Sequence, residues 1–408
     1  MKQFYTFMLT AFGVFSANAD WAPTSLPWID GLGTPDSPYK VSTVTHLTEL
    51  SREVAEGETF SEAIFELTNN IDCEGATIPA IGVLDKYTVE GEAHDESRYF
   101  KGTFYGNYNI IDNFNLTDAH VPEENKESIG GTGLFACATH GTWIDGLIIG
   151  EKATINGGLV TGGFIGQMNG GWLINCMMLG TVNATEFSGG LVGVMEEGLV
   201  SGCIHAGEMN GTTDVGGIVG QQAGDSRVEV CYNKGTVIAS GFGGAGITGA
   251  MYDNSLIAYC YNIGTIQGES NPWLGEPDGL TADMGPNNTV ISGYNVEELS
   301  GVMTRFGENL TPQELCDFPE GLHVPLVDMM LPYGDIFFVK DTEDINNGFP
   351  VINWENWFVN HPTGITVIEP NENNALHYYD LTGREIKHPT KGVVVIERRG
   401  NATRKVIL

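Results

Sequence analysis

The sequence predicts an all-β protein whose body is a β-solenoid, expected as a right-handed parallel β-helix, with a small C-terminal β module. Three observations predict it. The 408 residues contain 55 Gly and 17 Pro. Each interior Gly costs a helix roughly 1 kcal/mol relative to Ala, so helical bundles and coiled coils are excluded. Residues 131–290 hold 35 of those 55 Gly, in a unit that recurs every 27 to 30 residues. A Cys recurs in the same register, at 176, 203, 231 and 260. A unit this short and Gly-rich fits a few four- to five-residue strands joined by turns, and only stacked units bury a continuous core. A β-prism or a propeller is the runner-up, although propeller blades usually need about 40 residues or more.

The elements follow in chain order. Residues 1–19 read as a secretory signal peptide, with Lys2, an apolar run from Phe4 to Phe15, and the small-x-small triplet Ala17-Asn-Ala19. The mature chain is then expected to begin at Asp20, and no stretch reaches transmembrane length. Residues 20–64 are expected as a lead-in and cap with a short helix around His46–Glu56. Residues 65–291 form the expected solenoid, 292–363 a cap after it, and 364–408 a β module. That last module differs in charge. From Ala375 to Leu408 there are seven Lys or Arg and three acids, a net +4, whereas residues 1–374 carry −37. His377–Leu381 and Val393–Ile396 are its expected strands.

Two half-motifs define the repeat. The first is Gly163-Phe-Ile-Gly166, Gly190-Leu-Val-Gly193, Gly217-Ile-Val-Gly220 and Gly246-Ile-Thr-Gly249, led by Gly133-Leu-Phe-Ala136. The second is a Cys followed four residues later by Gly: Cys176/Gly180, Cys203/Gly207, Cys231/Gly235 and Cys260/Gly264. In the leading unit Gly146 is expected at the Cys position and Gly150 at the later Gly.

These Gly-Gly-Leu-Val-Gly units resemble the GLUG motif of bacterial surface proteins, which also stands beside catalytic domains in some IgA-cleaving peptidases. The flanks are similar to those of such proteins: Gly31-Leu-Gly-Thr-Pro-Asp-Ser-Pro-Tyr39 before, and Asn347-Gly-Phe-Pro-Val-Ile-Asn-Trp354 after. The stretch from Tyr378 to Leu408, with Tyr379-Asp-Leu-Thr-Gly-Arg384, resembles the C-terminal sorting tails of Bacteroidetes proteins exported by type IX secretion. It ends in Ile-Leu where such tails more usually end in Lys, and a small β cap is the other reading. Together the resemblances imply a secreted or outer-membrane surface protein, and they imply no chemistry.

The cysteines are Cys73, Cys137, Cys176, Cys203, Cys231, Cys260 and Cys316. Four of them occupy one repeat position. Stacked Cys have parallel Cβ vectors, which opposes the roughly 90° dihedral of a disulfide. They are therefore expected as a ladder of buried free thiols. A line of sulfurs is also a poor match to tetrahedral zinc. In a regular strand Met178, His205, Asn233 and Asn262 share the Cys face. The two Asn suggest a partial amide ladder, but satisfying backbone groups at a turn is the preferred role for them. His205 is expected to be structural.

Nothing in the sequence carries a recognisable catalytic constellation. Gly241-Phe-Gly-Gly-Ala-Gly246 matches a dinucleotide fingerprint only through the repeat's own glycines, with no following helix. The His-Glu-x-x-His pair, the nucleophile elbow and the EF-hand loop are missing from the sequence. The net charge of −33 opposes nucleic acid, and the repeat region's −11 opposes an anionic glycan. Its acids, among them Asp145, Glu196, Glu197, Asp214, Asp225 and Asp253, stand at differing offsets, mostly near turns. Trp172 and Trp273 are the candidate sugar-stacking residues. The expected function is a monomeric, exported scaffold or adhesin that binds a glycan or a host or bacterial surface protein. No cofactor is expected beyond weak surface calcium, and catalytic, cofactor-binding and metal residues are expected to be none. A polysaccharide lyase or glycoside hydrolase built on surface carboxylates is the alternative.

Overall fold

A computed structural model describes residues 24–89, 92–117, 127–241, 243–270, 276–323, 336–355, 376–379, 394–399 and 402–407. The expected signal peptide and Trp273 lie outside these residues, as does most of the stretch from Tyr378 to Leu408. The chain divides into two compact units, 1–338 and 339–408.

The first unit is a parallel β-solenoid. One coil shows the pattern: Ile165–Asn169, Trp172–Ile174, Met177–Met178, Thr181–Asn183 and Ser188–Gly189. Each of these strands pairs in parallel with its equivalent one repeat away, as in Trp143↔Trp172↔Leu199↔Arg227, whereas Leu84–Val89 near the N-terminal end pairs antiparallel with Glu92–Asp95 and Glu127–Thr132. In that column nine strands stack, beginning at Tyr39, Ile64, Thr103, Trp143, Trp172, Leu199, Arg227, Leu256 and Thr289. At one strand spacing per step the column is about 38 Å long. Its first rung is Tyr39–Val41, so the solenoid begins before residue 65, inside what the sequence marks as lead-in.

The glycines show why this sequence winds so tightly. In each Gly-x-x-Gly unit the first Gly (163, 190, 217, 246) abuts both the backbone of the following coil and an inward side chain from its own coil. A Cβ on Gly217, for instance, would meet the Gly246 carbonyl and the Asn233 amide. The last Gly (166, 193, 220, 249) lies against backbone of the previous coil near Thr132, Thr161, Ser188 and Val215. The Gly four residues after each Cys stacks on its own equivalent: Gly264 on Gly235, Gly235 on Gly207 and Gly207 on Gly180.

The leading unit corrects the sequence reading at both of its expected positions. Ile148 pairs with Met177, so buried Leu147, and not Gly146, takes the place of Cys176. Gly146 instead takes the left-handed corner, at φ 64°, that Asn175 and Gly202 occupy in the next coils. Gly180 does not continue the glycine column onto Gly150 as expected. Its successor Thr181 pairs with Thr154, so Gly180 is the equivalent of buried Ala153. A Cβ on Gly180 would meet the Ala153 carbonyl at 2.5 Å before that of Gly150 at 2.9 Å. The physical reason is a longer corner. The leading coil spends residues 150–153 between paired strands where the next coil spends only 179–180, and the Ala153 N–H closes that turn on the Gly150 carbonyl at 3.2 Å. The glycine column therefore begins at Gly180.

The core changes character along the axis. Phe60, Phe65, Phe100, Phe104 and Phe135 fill the first coils as an aromatic cluster, with Phe60 and Phe65 edge to face at 5.2 Å. Later coils use Val, Ile, Leu, Met and Cys. Helix α1 (Val44–Ala55) belongs to the N-terminal end. Leu47, Leu50, Ser51 and Val54 form its buried stripe, and the Thr43 hydroxyl accepts the His46 N–H as N-cap. At the other end buried Asp278 accepts from the Thr304 hydroxyl (2.7 Å), the Arg305 N–H (2.8 Å) and the Arg305 Nε (3.2 Å).

In the second unit Asp341 accepts the N–H groups of Ile345, Asn346 and Gly348, which folds the turn before Phe349. Leu376–Tyr379, Val394–Arg399 and Ala402–Ile407 make an antiparallel three-stranded sheet.

Candidate functional site

Two inward columns hold the solenoid together. Cys176, Cys203, Cys231 and Cys260 stack as free, fully buried thiols. Each S–H donates to the carbonyl two residues before it, at 3.1 to 3.3 Å. The N–H of Cys176 and of Cys203 donates to the sulfur one coil on, both at 3.4 Å. Burial pushes the Cys203 and Cys260 thiols well above their usual value, which keeps them protonated and unreactive.

The second column is an amide ladder, longer than the sequence suggested. Asn233 Nδ2 donates to Asn262 Oδ1 (2.7 Å), Asn262 to Asn295 (3.0 Å) and Asn295 to Asn309 (3.1 Å). The turn role preferred from sequence is present as well: Asn233 and Asn262 Oδ1 accept from Gly235 and Gly264. The ladder's direction fixes a tautomer. Asn233 Nδ2 is committed to Asn262, so His205 Nδ1–H must donate to Asn233 Oδ1, at 2.7 Å. His205 Nε2 is then a buried acceptor with no protein partner, and burial lowers the imidazole to about 4. His205 is the structural residue the sequence expected.

Outward faces carry the candidate chemistry. On the tryptophan face, half-buried Trp172 packs edge-to-face with Trp143 at 5.2 Å, and Trp143 lies 6.3 Å from Tyr105. Asp145, two residues after Trp143, accepts from Asn175 Nδ2 at 3.0 Å, and burial raises its carboxyl to about 6. Beside this face runs an apolar outward column of Ile110, Ile148, Met177, Ile204, Tyr232, Tyr261 and Tyr294. Tyr232 and Tyr261 stack at 4.7 Å, and Phe338 lies over both, at 6.3 and 5.2 Å. Residues the sequence placed in an end cap thus return along a lateral face.

The acids are more ordered than their sequence offsets suggest. Glu197, Asp225 and Asp253 all stand at the corner after the glycine-face strands, each in the left-handed region. Asp214 forms a separate cluster. Burial first, then the Asp283 and Glu186 carboxylates, raises it to about 6. The Tyr252 hydroxyl donates to Asp283 at 3.0 Å, and burial and the same two aspartates push that phenol up. Among the described residues no group of three or more His, Cys, Asp or Glu could hold a metal ion. No helix among them is long and apolar enough to cross a membrane.

The threonine face presents two outward columns. One runs Asn115, Thr154, Thr181, Glu208, Thr236; the other Thr117, Asn156, Asn183, Asn210, Ile238, Gln267. Asn183 donates to Asn156 (2.9 Å) and Asn210 to Asn183 (3.0 Å), a second amide ladder on the surface. Sequence reasoning missed this face, although Thr154-Ile-Asn156 and Thr181-Val-Asn183 recur in the repeat register.

No protein-family model matches the chain, and no curated protein matches it. A solved structure from Bacteroides ovatus, described as a "putative immunoglobulin A1 protease", is similar in backbone with a TM-score of 0.49 and 17% identity. The likeness covers 79% of this chain and 94% of that one. At that score it carries no functional argument.

Proposed function

We propose that this is an exported, cell-surface β-solenoid scaffold that binds an extracellular glycan or a host or bacterial surface protein, with no catalysis of its own. The observation that supports it most is the interior. Thiol, amide and apolar columns tie every coil to the next, and this presents outward side chains on rigid faces at strand spacing. The leader-like residues 1–19 and the missing catalytic motifs point the same way. Incubating the protein with immobilised glycans and host surface proteins tests it. Retention by one class is expected, and retention by none leaves only a structural role. The resemblance to GLUG proteins and to type IX sorting tails supports an address at the outer-membrane surface. Deleting 364–408 should abolish surface display, and unchanged display refutes that part.

A second reading, a glycoside hydrolase or polysaccharide lyase, is favoured by one observation. Asp214 is held partly protonated near neutral pH beside Asp283 and Tyr252, as a general acid beside a carboxylate base would be. Cleavage of a neutral glycan that D214N abolishes would establish it.

A further inference from the structure

We propose that the threonine face is the binding site of this scaffold and that its ligand is a neutral, extended, β-linked polysaccharide lying along the solenoid axis. This rests on the binding-scaffold reading.

Charge sets this face apart. The chain carries −33, yet among the outward positions of this face Glu208 is the one charged residue, and Asn210 Nδ2 holds it at 2.7 Å. The other positions are Thr, Asn, Gln and Ile. An uncharged stripe on a strongly acidic body accepts a neutral partner without the repulsion that an anionic one would meet. The stripe is also rich in hydroxyls and amides, which can donate and accept in turn, as sugar hydroxyls require.

Order is the second argument. The Asn156–Asn183–Asn210 ladder fixes three amides by hydrogen bonds of 2.9 and 3.0 Å. Asn183 uses one Nδ2 hydrogen and one oxygen lone pair along the column, and Asn156 uses one lone pair, so both keep a donor and an acceptor to face outward. Asn210 spends both Nδ2 hydrogens, on Asn183 and on Glu208, and keeps its oxygen as an acceptor. Side chains already held in place lose little entropy when a ligand arrives. Long, mobile lysines would lose more.

Period is the third. The parallel ladder repeats these groups once per coil, at about 4.8 Å. An extended β-linked hexose chain advances by roughly one strand spacing per sugar. One sugar can therefore sit over each coil, and because successive β-1,4-linked sugars are turned over, equivalent hydroxyls meet the column at every second coil between Thr154 and Thr236. The opposite flank differs: Phe338 covers Tyr232 and Tyr261 there.

Electrophoresis of the whole chain through gels cast with hydroxyethyl cellulose, a neutral β-1,4-glucan, tests the proposal. The native protein should be retarded. T181D/N183D, which puts two charges on the face, should bind about tenfold or more weakly. T236K, which breaks no ladder bond, should weaken binding too, and D253A at the acidic corner should not. Circular dichroism checks that each variant is folded, and T236K keeps the test open if the double variant is not. Equal retardation of native protein and face variants would overturn the site while leaving the scaffold reading intact. No retardation, with retention on an immobilised host protein, would overturn the ligand class alone. Failure to bind either would sink both, and shortening of the glucan would sink the catalysis-free reading.

Discussion

His205 shows how a single residue is constrained by its column. Its Nδ1 heads a directional amide ladder, its Nε2 has no protein partner, and burial lowers it to about 4. An unfolded His titrates near 6.5. The folded state therefore resists protonation. The stability from a neutral His205 is complete above about pH 6.5 and is lost as pH falls towards 4, up to about 3 kcal/mol. H205N would carry the amide ladder on without a titrating group. Urea midpoints should then fall less between pH 6.5 and 4 in H205N than in the native chain; equal slopes would contradict the account. Gly217 is the complementary case. A methyl there meets the Gly246 carbonyl and the Asn233 amide, so G217A should cost about 1 to 3 kcal/mol in urea unfolding. Both residues were partly legible. Strand alternation put His205 in the row with Asn233 and Asn262. The pairs Tyr232-Asn233, Tyr261-Asn262 and Tyr294-Asn295 could have extended that row to Asn295, but the Cys marker that defines the register is replaced there by Gly293.

Elements differ in how much each one holds. The inner ladder is buried, so removing one amide orphans its neighbours. N262A leaves Asn233 Nδ2, Asn295 Oδ1 and the Gly264 N–H without their partner, and should cost at least about 2 to 3 kcal/mol. N156A, on the surface ladder, faces water and should stay within about 0.5 kcal/mol. Similar losses in urea titrations would show that the two ladders are not distinct. The C-terminal end depends on Asp278, which gathers Thr304 and Arg305 from the segment beyond the last full coil. D278A leaves buried donors unpaired, and should lower stability by about 2 to 4 kcal/mol and expose the edge at Thr281–Met284 to proteolysis. Unchanged proteolysis would mean that the end is closed by other contacts. Repeat strands were readable because Gly and Cys mark one position per coil. The start at Tyr39 was not, since Tyr39–Val41 and Ile64–Leu67 lack the Gly-Gly unit and pack on aromatics. Nor was the longer corner before Thr154, because Gly150 imitates the spacing of Gly180 while Ala153 holds its place. The return of Phe338 over Tyr232 and Tyr261 was hidden too, because it pairs residues about 80 to 105 positions apart with no repeated signal.

The whole molecule shows a division of labour between inside and outside. Glycines let the coils approach and inward columns lock the register, so the outward residues are free to vary. That freedom explains why the fold was legible and the proposed site was not. A core position is fixed by a repeated steric demand, whereas an outward Thr or Asn meets no such demand. Trp172 illustrates the limit: its residue type suggested sugar stacking, and its edge-to-face pair with Trp143 is a contact the sequence did not announce. The central claim is that these faces bind without cleaving. The most direct measurement incubates the whole chain with each polysaccharide it retains and sizes the sugar by mass spectrometry before and after. The account predicts retention with an unchanged chain-length distribution. Shortened products that disappear in D214N would contradict it and make the Asp214 cluster the site.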